Sequence, residues 1–469
     1  MPDQILTSLE AQAGSLHGIK QYFAGLGPLA SVLFMLPFAL LLGCIAILPL
    51  TFPHFWEKNK NKALVALGLG LPVTGFFLYQ DWHTVANTAL DYAAFLSLLG
   101  ALFVISGGIY IRGSFAGLPQ INTLFLLIGA LLANFIGTTG ASMLLIRPLL
   151  RANHNRHHKA HIVIFFIFVV SNCAGLLTPL GDPPLFLGFL RGVDFAWTLK
   201  LWREWALVIT VLLALFYALD SYQFKKEHLH IRDMLVNHKA YISERFGIEG
   251  RRNFTALGMV IGLILFSGYV IYPMQGDLIF GEPFGSAMSK ILQTIGMLVI
   301  TAFSFKITAK HIHERNHFGF GPIIEVAVLF AGIFMAMIPV LLILETQGTK
   351  FNVSEPWQFY WISGTLSSFL DNAPTYLTFT SLAKGVLGIG GEGLKELMFH
   401  PTGMKYLAAV SCGSVMMGAN TYIGNGPNFM VKAIAEDAKV KMPSFFGYMA
   451  WSIAVLIPIF VLVTFVFFR

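Results

Sequence analysis

The sequence predicts an all-α polytopic membrane protein: about ten transmembrane helices plus two re-entrant hairpins, in two inverted repeats with discontinuous helices. Three observations lead there. Hydrophobic residues make up 56% of the chain and charged residues 12%, whereas a soluble domain carries about 25% charged residues. Apolar runs of roughly 20 residues, enough to cross about 30 Å of hydrocarbon, recur along the chain. Two of these runs are broken by Gly- and Pro-containing turns, Thr178-Pro-Leu-Gly-Asp-Pro-Pro184 and Thr421-Tyr-Ile-Gly-Asn-Gly-Pro427, which align as Thr178 with Thr421, Gly181 with Gly424 and Asp182 with Asn425. Backbone interrupted at membrane depth survives only where protein or a water-filled cavity satisfies its amides and carbonyls.

Residues 1–30 lack the charged start and cleavage site of a signal peptide and are expected to lie on the membrane surface. The first repeat, 31–220, opens with spans near 31–51, 62–80 and 92–111. Residues 121–150 then form two short apolar arms around Asn134-Phe-Ile-Gly-Thr-Thr-Gly140, which reads as a hairpin. The broken helix 161–190 and a span at 198–219 follow. A cytoplasmic basic linker, 221–253, holds seven Lys or Arg and divides the chain. The second repeat, 254–469, has spans near 254–274, 288–305 and 322–344. A second hairpin, 357–384, carries Leu370-Asp-Asn-Ala-Pro-Thr375 at its tip, and the broken helix 404–435 and a span at 447–468 close the chain.

Charge supports this layout. Counting both hairpins as re-entrant puts 21 of the 31 Lys and Arg in loops on one side, which the positive-inside bias makes cytoplasmic. Each half then crosses five times, so the halves are inverted and the two hairpin tips approach the midplane from opposite faces. The formal charge of +7 reports topology, and no nucleic-acid partner is expected. Cys44, Cys173 and Cys412, an odd set in or beside apolar segments, give no disulfide framework.

An acidic side chain in hydrocarbon costs about 2.5–3.5 kcal/mol on insertion scales and so marks a functional site by default. Asp182 and Asp371 are placed nearest the centre, as candidate sodium ligands. The neutral oxygen-bearing residues Asn134, Thr138, Thr139, Asn172, Thr178, Asn372, Thr375, Asn420, Thr421 and Asn425 surround them as candidate ion or substrate contacts. Hard cations prefer such oxygens. Neither break contains Lys or Arg, but half-helix N-termini can meet an anion. A plainer role stands beside this one, since Asp182 before two prolines and Asp371 before Asn-Ala-Pro are also good helix N-caps. Asp91 and Glu325 are expected to be solvated at the membrane interface, with a second proton site at Glu325 as the alternative. The loop clusters His154, His157, His158 and His311, His313, His317 have spacing too weak to define a metal or pH-sensing site.

The pairing of Leu370-Asp371-Asn372 with Thr178-Pro-x-Gly-Asp-Pro-Pro184 resembles the ion transporter superfamily, which includes NhaD-type sodium/proton antiporters, arsenite permeases and citrate and dicarboxylate carriers. The resemblance runs from about residue 31 onward and is nearest to the bacterial branch of citrate transporters or sodium:proton antiporters. It implies ion or substrate contacts at the twelve hairpin and broken-helix positions named above, a multi-pass location in the bacterial inner membrane, and a homodimer. Gly137 departs from the acidic residue typical of the first hairpin tip in NhaD-type antiporters.

Two aspartates about 5 Å apart at an effective dielectric near 20 repel by roughly 3 kcal/mol. Such a pair readily takes up protons that Na+ would displace, which is minimal antiport. The leading expectation is therefore a secondary transporter exchanging sodium for protons by alternating access, without a cofactor. The alternative is cation-coupled transport of citrate or another carboxylate. An intramembrane aspartyl protease ranks last, because both aspartates lie in Pro-containing breaks and the chain lacks a Tyr-Asp partner motif.

Overall fold

A computed structural model describes residues 18–113, 115–227, 247–280, 282–390 and 393–469. Among them, nine helices are long and apolar enough to cross a membrane. Several of these helices turn large apolar side chains outward, such as Leu29, Leu64 and Phe446 at 76%, 68% and 77% exposure. This is the pattern of a multi-pass membrane protein, whose outer surface meets lipid.

Helices α1 (Pro28–Thr51), α2 (Asn59–Gln80) and α3 (Trp82–Gly107) come first. Asp81 starts α3 by accepting from the His83 amide and the Thr84 hydroxyl, which satisfies first-turn donors. Helix α4 (Pro119–Ala152) is a hairpin. Gly137 reverses the chain at φ 74°, ψ 157°, a conformation that only glycine adopts readily. The arms pack side by side, so a Cβ on Gly129 would lie 3.1 Å from Leu145 Cδ1. At the open end, Asn122 and Asn153 exchange amide hydrogen bonds of 3.0 and 2.7 Å.

The next helix is broken: α5 (Ala160–Val169) ends, a 3-10 turn covers Cys173–Leu176, and α6 (Pro183–Leu190) resumes. Helix α7 (Trp202–Lys226) follows, then α8 (Arg252–Phe266), α9 (Phe284–Ile307) and α10 (Gly321–Gln347). The second tip lies between α11 (Pro356–Ser367) and α12 (Asn372–Leu387). The second broken helix consists of α13 (Pro401–Met416), a 3-10 turn over Met417–Asn420 and α14 (Gly426–Asp437), and α15 (Phe445–Val463) ends the fold. Helices α2 and α10 meet through small residues: a Cβ on Gly332 would sit 2.6 Å from Ala66 Cβ. That is how helices gain contact where lipid offers no hydrophobic drive.

Two expectations need correction and one gains detail. The basic linker is narrower than 221–253: α7 runs to Lys226, and residues 247–249 form β2 (Gly247–Glu249), antiparallel to β1 (Tyr110–Arg112). Residues 228–246 of that linker lie outside the described residues. Within the expected surface segment, residues 18–24 also pack against the protein. They form a short helix that buries Ile19 and Phe23, with the Phe23 carbonyl accepting from Gln347 and Lys20 paired to Glu345. Residues 1–17 lie outside the described residues. Asp91 is not solvated at an interface, because it sits more than two turns inside α3, 5% exposed, bridged to Lys290 at 2.7 Å and Arg191 at 3.3 Å. Glu325 pairs with Lys62 at 2.6 Å and keeps partial exposure.

A buried ionic network holds the open end of the first hairpin. Arg156 bridges Asp220 at 2.8 Å and Glu227 at 3.0 Å, and Asp220 also accepts from Asn122 at 2.8 Å and contacts His161 at 2.9 Å. Removing one partner of a buried pair strands the other. Arg156→Met is expected to cost about 3–5 kcal/mol, read as a lower melting temperature in detergent, whereas exposed Arg112→Met should cost under about 1 kcal/mol.

Candidate functional site

Four helix starts meet at one point, and the sequence explains each. Gly137 lets the second arm of α4 begin at Thr138, Asp182 precedes the Pro-Pro start of α6, Asn372 is the first residue of α12, and Asn425 precedes Gly426-Pro427 at the start of α14. Their side chains are joined through Asp182, which is 1% exposed. The Thr138 hydroxyl donates to Oδ1 at 2.8 Å, the Asn372 amide to Oδ2 at 2.7 Å, and the Asn425 amide approaches Oδ1 at 3.5 Å. The carboxylate thus faces only donors. Each helix N-terminus adds roughly half a positive charge.

A second layer of amides supports the first. Asn172 donates to Asn428 Oδ1 at 2.7 Å and accepts from Asn425 at 3.2 Å, while Asn428 donates to the Gly418 and Thr421 carbonyls at 2.8 and 2.9 Å. The turns themselves repeat at an offset of 243 residues, the separation of Thr178 and Thr421. Thr178 donates to the Asn134 carbonyl and Thr421 to the Ser368 carbonyl, and each hydroxyl accepts from the amide two residues on at 3.2 Å. Gly175 backs onto Gly181 as Gly418 backs onto Gly424, with no room in either pair for a Cβ. Asn134 further accepts from the Leu177 amide at 2.9 Å.

The structure therefore gathers Asn134, Thr138, Asn172, Thr178, Asp182, Asn372, Asn420, Thr421 and Asn425. It leaves three expected residues aside. Thr139 is half-buried one place beyond Thr138. Thr375 donates to the Asp371 carbonyl at 3.1 Å within its own helix. Asp371, expected as a sodium ligand together with Asp182, is half-buried and caps α12, its Oδ1 accepting from the Ala373 amide at 3.2 Å. The contact with Asp182 comes from Asn372 instead. Asparagine caps a helix as well as aspartate, so Asp371→Asn should keep transport within about two-fold of wild type, measured by uptake into proteoliposomes.

Asn428, Ser368, Ser367, Gly175 and Gly418 escaped the sequence reading. Ser368 was within reach, because laying the second hairpin tip on the first with Phe135 opposite Phe369 pairs it with Asn134. Ser368 donates to the Met417 carbonyl at 3.1 Å and accepts from Asn420 at 2.9 Å, while Asn420 Oδ1 is buried without a partner among the described residues. That oxygen, unlike those of Asp182, is open to a cation. Among the described residues no group of three or more His, Cys, Asp or Glu is placed to hold a metal ion. His313 lies between Phe305 and Phe318, where burial lowers its pKa, and His311 faces Glu249.

A family model described as putative citrate transport matches residues 28–468. The chain belongs to that family. No curated protein matches it. Membership agrees with the resemblance drawn from the two motifs and extends over nearly the whole chain, both broken helices included. It also reverses the ranking of the two transport readings, because the family's description names the carboxylate and not sodium/proton exchange.

Proposed function

We propose that the chain is a secondary carrier of citrate or a related small carboxylate, coupled to a cation. The observation that carries this reading is the convergence of four helix N-termini on one buried locus. Together they amount to about two positive charges, which offset the carboxylates of Asp182 and of Asp371 at the start of α12, so that with a coupling cation the locus can accept an anion although, among the described residues, no Lys or Arg side chain hydrogen-bonds Asp182. Thr138, Asn372 and Asn425 supply directional donors. Asn420 Oδ1 and the carbonyls of the unwound turns supply oxygens for the coupling ion.

The recurrence of the turns after 243 residues supports two inverted repeats working by alternating access, with both hairpins re-entrant. We place the carrier in a bacterial inner membrane as a homodimer. Sodium/proton exchange remains the second reading, favoured by the burial of the Asp182 carboxylate among neutral side-chain donors. Proteoliposomes separate the two. Labelled citrate should accumulate under an inward Na+ or H+ gradient and stop when the gradient is collapsed. A Na+-driven proton flux without citrate uptake would establish exchange instead.

A further inference from the structure

Apart from the locus at Asp182, a cavity of about 200 Å³ lies between the N-terminal half of α3, the start of α9 and the end of α10 on one side and the C-terminal ends of α6 and α12 on the other. It is remote from the first site. The eight residues of α6 separate it from Asp182 by about 12 Å, and the twelve from Asn372 to Lys384 by about 18 Å. It also lies at the opposite end of α3 from the β1–β2 pair, and so on the face away from the basic linker.

Charged side chains are rare in this chain, yet seven line this cavity. Lys290, 2% exposed, holds Asp91 at 2.7 Å and Glu282 at 2.6 Å. Glu345 holds Lys20 at 3.1 Å and Lys384 at 3.0 Å. Arg191 is the seventh, and among the described residues it leaves the cluster with one positive charge in excess. Among the described residues its guanidinium makes one polar side-chain contact, 3.3 Å to Asp91, although such a group carries five donors in a planar fork suited to a carboxylate. On the α3 wall, one turn before Asp91, Asn87 buries its side-chain oxygen, which has no partner among the described residues, and leaves its amide NH2 as the group able to meet a ligand.

We propose that this cavity is a second binding site for a small carboxylate, seated on Arg191 and facing Asn87. The proposal rests on the carboxylate reading only for the identity of the ligand, since an excess cation and an unsatisfied amide would attract any small carboxylate. Arg191 directly follows α6, which begins at Asp182, so an anion seated there touches the end of the helix whose start forms the first site.

Calorimetric titration of the purified full-length protein with citrate, succinate and acetate tests this, alongside citrate uptake. Wild type is expected to bind at least one of the three with two sites per chain. Arg191→Gln should lose one site, and Asp182→Asn the other. Asn87→Asp, which breaks no ion pair, should weaken the same site as Arg191→Gln by at least ten-fold. A one-site wild type, two unchanged sites in both Arg191→Gln and Asn87→Asp, or no binding of any probe would overturn the proposal. Uptake with a single site would refute the cavity and keep the carrier, whereas two sites without uptake would do the reverse.

Discussion

Gly181→Ala is expected to reduce uptake to background, and Gly424→Ala to do the same from the other half. At each position a Cβ would collide with the backbone of the glycine six residues earlier, Gly175 or Gly418. Backbone cannot rotate away as a side-chain tip can, so relief requires the turn to open. Overpacking of this kind costs about 1–3 kcal/mol and sometimes more. Here it also displaces the residue that follows, Asp182 or Asn425. Thr138 would be lost as well, because its amide donates to the Gly181 carbonyl at 2.9 Å. Gly100→Ala and Gly258→Ala are the matched controls, as nothing lies within 4 Å of a Cβ at either, and alanine favours a helix over glycine by about 1 kcal/mol. Uptake and detergent melting temperature together read the result. Controls at wild-type values with both turn variants inactive are expected, and an active Gly181→Ala would mean that the turn is not built on the contact of the two glycines.

Much of this architecture was legible because membrane physics leaves few options. A charged Pro-Pro turn inside an apolar run has to be a break, and the same punctuation at Thr178 and Thr421 announces its partner. What pattern could not supply was the direction in which side chains point. Asp371 and Asn372 are neighbours at one helix start, and both have the chemistry of a site residue. The start of α12 turns the first back to cap its own helix and sends the second across to Asp182. The charge of Asp371 made it the more conspicuous of the two, yet charge says nothing about direction. Asp91 shows the same limit. Its ion partners, Lys290 and Arg191, come from helices distant in the chain, so burial looked too costly when only its own helix was considered. Lys20 is a further case: it pairs with Glu345, more than 300 residues away, a contact that no local pattern announces.

The two turns differ at one position, and that difference yields the sharpest test of the central site. Asp182→Asn keeps the size of the side chain and removes its charge. It also puts an amide NH2 where a carboxylate oxygen had accepted, facing the donors of Thr138, Asn425 or Asn372. Two donors then oppose each other in a buried position, at a cost of about 1–3 kcal/mol for the unsatisfied group. Four helix N-termini also lose the negative charge held between them. Uptake should fall at least 100-fold, which a factor of ten per 1.4 kcal/mol makes equivalent to about 3 kcal/mol. Asn425→Asp alone places a second carboxylate within the same group of side chains, and roughly 3 kcal/mol of repulsion should impair it comparably. The exchange Asp182→Asn with Asn425→Asp restores one acidic and one amide side chain on opposite turns of a near-repeated frame. If the site works through a single charge held among converging helix starts, the double variant should recover at least ten-fold over either single one. Recovery no better than the worse single variant would show that the acid must come from α6, so that the two turns, alike in backbone, are unequal in chemistry.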